Sequence, residues 1–210
     1  MTYAVKECFL TLQGEGMQAG SRAVFLRFAG CNLWSGREQD RATAQCNFCD
    51  TDFVGTDGEG GGKFQSAESL ADQVEALWGT GADERLVVVT GGEPMLQLDA
   101  ALVDELHRRS FRVAAETNGT LPATRGLDWI CVSPKAGTDV VQRAGNELKL
   151  VWPQAGIEPA ELESWVFDHF LVQPMDCADR QGALDAAIAL AMERPKWRLS
   201  LQAHKVVGLP

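Results

Sequence analysis

Short apolar runs and helical stripes take turns along this chain. Residues 23–29, AVFLRFA, form a run of strand length, and residues 86–90, LVVVT, form a β-branched one closed by Gly91 and Gly92. Between them Ser66 is a good helix N-cap, with Leu70, Val74 and Leu77 after it at helical spacing. Leu98, Leu102 and Leu106 mark a second helix. Residues 111–117, 129–133 and 148–152 then read as strands, 159–166 as a helix, 170–173 as a strand, 183–192 as a helix and 197–202 as a last strand. Such alternation, with strands apolar almost throughout, predicts an α/β fold: a mostly parallel sheet covered by helices, open or curved into a partial barrel. The glycine-rich residues 56–63 lack the Gly-Lys-Ser/Thr ending of a phosphate loop and read as a flexible connector.

At 210 residues and 45% apolar content, the chain suits a single domain spanning 1–210, with no internal repeat. The first residues show no basic, then apolar, leader, and no run approaches the roughly 18 apolar residues of a membrane span. A cytoplasmic protein without a membrane partner is expected. Lys plus Arg number 19 against 29 Asp plus Glu, a net charge of −10 with no basic run, which argues against nucleic acid as a partner. A small anion needs only one buried arginine. Arg27, alternating with Phe25 and Ala29 inside an apolar run, must meet either such an anion or a glutamate partner.

Six cysteines are too few for a disulfide scaffold; Cys8, Cys131 and Cys177 lie scattered in apolar surroundings and read as packing residues. Cys31, Cys46 and Cys49 form a C-x14-C-x2-C cluster within a loop, 31–49, that carries an insertion at 32–45. Three thiolates suit a 4Fe-4S cluster with one iron left open to a ligand. The competing reading, a zinc-stabilised binding module without catalysis, needs a remote fourth ligand. The insertion is expected to form an ordered loop or short helix covering the cluster. Thr90-Gly91-Gly92-Glu93-Pro94 lets a ligand approach the backbone, with Pro94 placed naturally at the first turn of a helix. Glu116-Thr117-Asn118-Gly119, Ser133-Pro134-Lys135 and Gln173-Pro174-Met175-Asp176 are polar strand ends, where a parallel sheet places its ligands. Leu12-Gln13-Gly14-Glu15-Gly16 offers amide, carboxylate and backbone groups suited to the edge of a heterocycle.

Taken in order, F-x-T-x-Q-G-E-G, FLRFAGCNL, CNFCDT, TGGEP, ETNGT, SPK and the ending QAHKVVGLP resemble the 7-carboxy-7-deazaguanine synthase family of radical S-adenosylmethionine (SAM) enzymes over nearly the whole length. The superfamily's usual spacing is C-x3-C-x2-C, and this chain has 11 further residues between its first two cysteines. The resemblance implies a partial, open (β/α) barrel with a reduced set of helices. It implies a carbon-nitrogen lyase that contracts 6-carboxy-5,6,7,8-tetrahydropterin to 7-carboxy-7-deazaguanine with loss of ammonia, in queuosine and deazapurine biosynthesis. The cofactor would initiate the radical chemistry, so no catalytic side chain is expected.

By the same resemblance Cys31, Cys46 and Cys49 would hold the 4Fe-4S cluster and Thr51 a Mg2+ ion. SAM would lie against Phe48, Asp50, Gly92, Glu93, Asn118, Ser133, Pro134, Lys135, Gln173, Pro174, Met175 and Asp176, with Phe48 packing on adenine and the Gly-Gly-Glu backbone and carboxylate on the ammonium. The pterin would meet Leu12, Gln13, Gly14, Glu15, Arg27, Thr90, Glu116, His204 and the terminal carboxylate of Pro210. A flavodoxin or similar donor and a homodimer are implied partners. A radical activase that places a glycyl radical on another protein would share the cluster and fold but need a docking surface in place of a pterin pocket.

Overall fold

A computed structural model describes residues 2–81 and 83–209. In chain order its regular elements are β1 (Tyr3–Leu12), β2 (Arg22–Phe28), β3 (Gly62–Phe64), α1 (Ala67–Trp78), β4 (Leu86–Gly91), α2 (Ala100–Arg108), β5 (Arg112–Thr117), β6 (Trp129–Val132), β7 (Ala144–Trp152), α3 (Pro159–Leu162), β8 (Val166–Pro174), α4 (Arg180–Glu193), β9 (Trp197–Leu199) and α5 (Ala203–Val207). The strands form one nine-stranded sheet in the order β3-β1-β2-β4-β5-β6-β7-β8-β9. From β2 onward every neighbouring pair is parallel, while β1 runs antiparallel to both β2 and β3. The sheet is the open, mostly parallel one that the apolar runs predict. Its helices are few: β5 to β6 and β6 to β7 are joined by loops alone.

Local chemistry sets the helix starts. Ser66 Oγ accepts from the Ser69 N–H at 3.1 Å and Ser69 Oγ accepts from the Ser66 N–H at 3.3 Å, a reciprocal capping box on α1. Asp99 caps α2 by accepting from the Leu102 N–H at 3.0 Å, and the same oxygen accepts from the Tyr3 hydroxyl at 2.7 Å. The helix start is thereby tied to β1. Leu70 and Val74 of α1 and Leu102 and Leu106 of α2 pack with Val24, Leu26, Val87, Val89 and Val113 on one face of the sheet. A second core joins α4, through Ala187 and Leu190, to Leu148, Leu150, Phe170 and Val172. Each such fully buried leucine or phenylalanine contributes about 1.5–3 kcal/mol. On the opposite face Ala23, Leu86, Val88 and Ala114 form a small third core, and the rest of that face is left to a cavity.

Several expectations are corrected. β1 is not among the predicted strands, because its register shifts between Val5 and Glu7 and so breaks strict alternation. The residues after Gln202 form α5, also unpredicted, while the predicted helix over 159–166 ends at Leu162 and the strand over 197–202 at Leu199. The glycine-rich segment is no flexible connector. It packs on β1, with Gly58 N–H donating to the Lys6 carbonyl at 2.9 Å and Cys8 N–H to the Glu59 carbonyl at 2.7 Å, and continues into β3. A Cβ on Gly60 would fall 2.2 Å from the Cys8 carbonyl oxygen, so glycine is required there by proximity. Among the described residues no helix is long and apolar enough to cross a membrane.

Candidate functional site

The C-terminal ends of the parallel strands, the loop after β1, the cysteine loop and α5 enclose one cavity of about 410 Å3. That is the place where a parallel sheet presents ligand-binding loops, and the volume lies within the usual range for small-molecule sites. Leu12, Gln13, Gly14, Glu15, Arg27, Cys31, Cys46, Phe48, Cys49, Asp50, Thr51, Thr90, Gly92, Glu116, Asn118, Ser133, Lys135, Gln173, Pro174, Met175, Asp176 and His204 all line it. Residues drawn from both ends of the sequence are thus brought to one space.

Three predicted residues stand apart. Glu93 is expected from the sequence to offer its carboxylate to a ligand, but the side chain is fully buried beneath the cavity wall. Its Oε1 accepts from the Thr117 hydroxyl at 2.7 Å and the Met95 N–H at 2.9 Å, and Oε2 from the Asn118 N–H at 2.8 Å. Burial pushes its carboxyl up, against these donors. Glu93 therefore braces the cavity wall at Asn118. Pro134 does not line the cavity; it is buried, and its carbonyl lies 3.5 Å from Gln154 Nε2. Pro210 lies outside the described residues.

The cysteine loop brings its three thiols to the cavity from β2 and from the far side of the insertion. Leu33 N–H donates to Cys31 Sγ at 3.4 Å. The Cys46 thiol hydrogen-bonds Cys49, which pushes Cys46 up and holds Cys49 below the ordinary thiol range. Lys135 nearby also favours both thiolates; burial lowers its own ammonium. Its Nζ is held by the Ser133 carbonyl at 2.8 Å and Oγ at 2.7 Å, 5.9 Å from the centre of the Phe48 ring. Gly92 has a steric reason: a Cβ there would sit 2.6 Å from Cys31 Cβ and 2.3 Å from the Gly30 carbonyl oxygen.

These features fit an iron-sulfur cluster with an open side. The three cysteines are free thiols, they face one space, and among the described residues no fourth thiol lines it, with Cys8 and Cys131 buried elsewhere. A single tetrahedral ion would need ligands meeting at about 2.0–2.3 Å from one point, and among the described residues no three His, Cys, Asp or Glu side chains are grouped so. The insertion is ordered, with a 3-10 helix over Glu38–Thr43.

The opposite wall is polar. Arg27 finds the glutamate partner that the sequence allowed: its Nε lies 2.6 Å from Glu7 Oε1, and both residues line the cavity. Lys149 Nζ lies 2.5 Å from Glu15 Oε2 and 3.1 Å from Glu116 Oε2. Burial alone would raise the Glu15 carboxyl, but Lys149 outweighs it and holds Glu15 well below the usual carboxylate range. Lys205 joins Asp50 at 2.7 Å to Asp176 at 2.6 Å, and Ala203 N–H donates to the Gly14 carbonyl at 2.8 Å, so α5 is strapped across the cavity mouth.

Glu7, Lys149, Gln202 and Lys205 are residues of the cavity that sequence reasoning misses. Lys149 carries the same signal as Arg27, a cation inside an apolar strand. Gln202 and Lys205 belong to the C-terminal motif but carry no individual mark of function.

Comparison with known proteins supplies the rest. The family described as the radical SAM superfamily matches residues 39–150, a span that holds Cys46 and Cys49 and begins after Cys31. The chain is similar to 7-carboxy-7-deazaguanine synthase of Caulobacter vibrioides, 62% identical over 210 residues and covering 100% of both chains. It is 59% identical to the protein of that name from Bordetella pertussis, again over 100% of both. Among solved structures it is similar to the crystal structure of QueE from Escherichia coli, with a TM-score of 0.70, 30% identity, and coverage of 97% of this chain and 95% of that one.

Proposed function

The chain belongs to the 7-carboxy-7-deazaguanine synthase family of the radical SAM superfamily, and on that premise we propose how its own residues carry out the contraction of 6-carboxy-5,6,7,8-tetrahydropterin to 7-carboxy-7-deazaguanine. The reaction, a carbon-nitrogen lyase step with loss of ammonia, is that of the family. The observation that carries the reading at the level of residues is the single cavity, with three free thiols on one wall and a charged, hydrogen-bonding wall facing them.

Cys31, Cys46 and Cys49 would hold a 4Fe-4S cluster, and SAM would lie between it and the strand ends at Gly92, Asn118, Ser133–Lys135 and Gln173–Asp176. When bound, cluster and SAM together supply the abstraction of a hydrogen atom from the substrate. Phe48 would pack against adenine. Glu93 would act through Asn118, whose N–H it holds at 2.8 Å.

The pterin would lie against the polar wall. Arg27 would take its carboxylate: Glu7 engages Nε, and a guanidinium has four further N–H donors. The main chain and side chains of Leu12–Glu15, with Thr90, Glu116 and His204, would meet the ring, as, by the family resemblance, would Pro210. Thr51, lining the same cavity two residues after Cys49, would offer a hard oxygen ligand to a Mg2+ ion that neutralises the substrate carboxylate. A reduced flavodoxin-like protein would be the electron donor, the chain would work as a homodimer in the cytoplasm, and its acidic balance speaks against nucleic acid as a partner.

Anaerobic turnover of reconstituted protein with carboxytetrahydropterin, SAM and a chemical reductant tests this reading. A deazapurine product is expected by mass spectrometry, and Cys46→Ala should abolish it together with the cluster absorbance. Release of 5'-deoxyadenosine without any deazapurine would defeat the substrate assignment.

A further inference from the structure

Lys149 stands in the run Leu148-Lys149-Leu150 of β7, flanked by fully buried leucines, and is itself almost wholly buried. An ammonium taken from water needs counter-charges in good geometry. It has two: Nζ bridges Glu15 Oε2 at 2.5 Å and Glu116 Oε2 at 3.1 Å. The other oxygen of each carboxylate is held by an amide, Glu15 Oε1 by Gln202 Nε2 at 2.8 Å and Glu116 Oε1 by Gln13 Nε2 at 2.9 Å. Lysine, both glutamates and both glutamines line the cavity.

The arrangement is more elaborate than a structural ion pair requires. Two carboxylates facing one cavity repel each other, and the ammonium bridging them offsets that repulsion and fixes their spacing. Each carboxylate oxygen has two acceptor directions, so these contacts leave acceptor capacity on both groups. A pair of ionised carboxylates meets adjacent N–H donors on one heterocycle edge and repels an edge carrying carbonyl oxygens.

We propose that Lys149 is a positioning residue that holds Glu15 and Glu116 as a paired acceptor for the amide and amine N–H groups of a 2-amino-4-oxopyrimidine ring, and thereby sets the enzyme's choice of heterocycle. This rests on the pterin reading given above. The remaining charged or titratable groups near Lys149 are Cys131 of β6, Glu147 of β7 and Lys135 after β6. Glu147 is engaged by the Met17 N–H at 3.0 Å and the Cys131 thiol at 3.3 Å, which leaves Glu15 and Glu116 as the pair Lys149 governs.

The test is fluorescence titration of the holoenzyme with 6-carboxypterin, which is intrinsically fluorescent and already oxidised, and with 6-carboxylumazine, which has a carbonyl in place of the 2-amino group. Wild type should prefer the pterin by about tenfold or more. In Lys149→Met the two carboxylates lose the cation that bridges them, so pterin affinity should fall by about tenfold and the preference over lumazine should shrink. Lys149→Arg should recover most of the preference. Glu116→Gln, which leaves the ammonium one carboxylate and so tests the site even if Lys149→Met fails to fold, should weaken pterin binding and narrow the preference over lumazine. Pterin selectivity unchanged in Lys149→Met, or in Glu116→Gln, would overturn the proposal. A wild-type protein that binds neither heterocycle would overturn the pterin reading itself.

Discussion

Gly14 and His204 occupy one space: a Cβ on Gly14 would fall 2.1 Å from His204 Nδ1 and 2.7 Å from His204 Cβ. Gly14 is not among the residues with a positive φ, so alanine there costs no backbone strain and its effect is steric. The histidine cannot simply swing aside, because its segment is pinned by the Ala203 N–H on the Gly14 carbonyl and by Lys205 on Asp50 and Asp176. Gly14→Ala should displace α5 from the cavity mouth. The expected result is a KM for the pterin raised about tenfold, with global stability lowered by only about 1–3 kcal/mol as for overpacking elsewhere. Steady-state kinetics with a thermal melt separates the two, and an unchanged KM would remove His204 from the substrate site.

Glu93 offers a prediction about SAM. Three donors converge on its fully buried carboxylate, and each donor left bare in a buried site costs about 1–3 kcal/mol. Glu93→Ala should therefore unfold or strongly destabilise the β4 and β5 ends. Glu93→Gln keeps the shape, and its oxygen can serve Thr117 and Met95, but its amide then faces the Asn118 N–H, donor against donor. That variant should fold and bind SAM about tenfold more weakly, measured by anaerobic equilibrium dialysis; wild-type affinity would show that the Asn118 backbone does not position the cofactor.

The elements legible in the sequence share a physical cause. Strands buried on both faces announce themselves through β-branched runs such as Leu86–Gly91, and the capping serine of α1 is visible because its partner is three residues away. β1 escapes because Lys6 is buried where a regular strand would place an apolar residue. Its ammonium is held by Asp52 and Asp57, both 2.8 Å away and some fifty positions later in the chain. The cysteines, Thr51 and the strand-end motifs are legible because chemistry restricts them to few residue types. Lys149, Lys205 and Glu7 matter through partners far away in sequence. The direction of the Glu93 side chain depends on where Asn118 N–H lies, which no local pattern reports.

Glu163 gives a prediction of stability against pH, remote from the cavity. Its Oε1 lies 2.7 Å from Arg194 Nε and accepts from the buried Trp197 indole at 2.8 Å, linking the end of α3 to the end of α4 and the start of β9. The Arg194 hydrogen bond, with that of Trp197, lowers its carboxyl from 4.5. A group whose value is lower folded than unfolded favours folding above the unfolded value, and this contribution is lost as pH falls through the folded one. Wild type should therefore melt about 2–4 °C above Glu163→Gln near neutral pH. The gap should close as pH drops below about 4.5. A gap that is constant with pH, tracked by circular dichroism, would mean that the ionised form of Glu163 is not what stabilises this corner.

Arg41 explains why 14 residues between the first two cysteines need not loosen the cluster loop. Its guanidinium lies 4.2 Å from the centre of the Trp34 ring, Nη1 donates to the Asn47 carbonyl at 3.0 Å and the Cys49 carbonyl at 3.1 Å, and Nε pairs with Glu38. Trp34 in turn meets Phe53 edge-on at 5.6 Å. The inserted 3-10 helix is thus bonded to the backbone on both sides of Phe48, between the second and third cysteines. A lysine side chain has one nitrogen and so cannot meet both carbonyls while pairing with Glu38 through a second nitrogen and stacking a planar cation on the indole. Arg41→Lys and Arg41→Ala should both fold, since the arginine is partly exposed and outside the main cores. Both should hold less iron per chain after anaerobic reconstitution and lose the cluster's visible absorbance several times faster in air. Replacing residues 32–45 by a three-residue spacer should have the same effect more strongly, because Trp34 and Arg41 leave together. If either Arg41 variant kept wild-type iron content and air stability, the insertion would be a surface addition with no part in shielding the cluster.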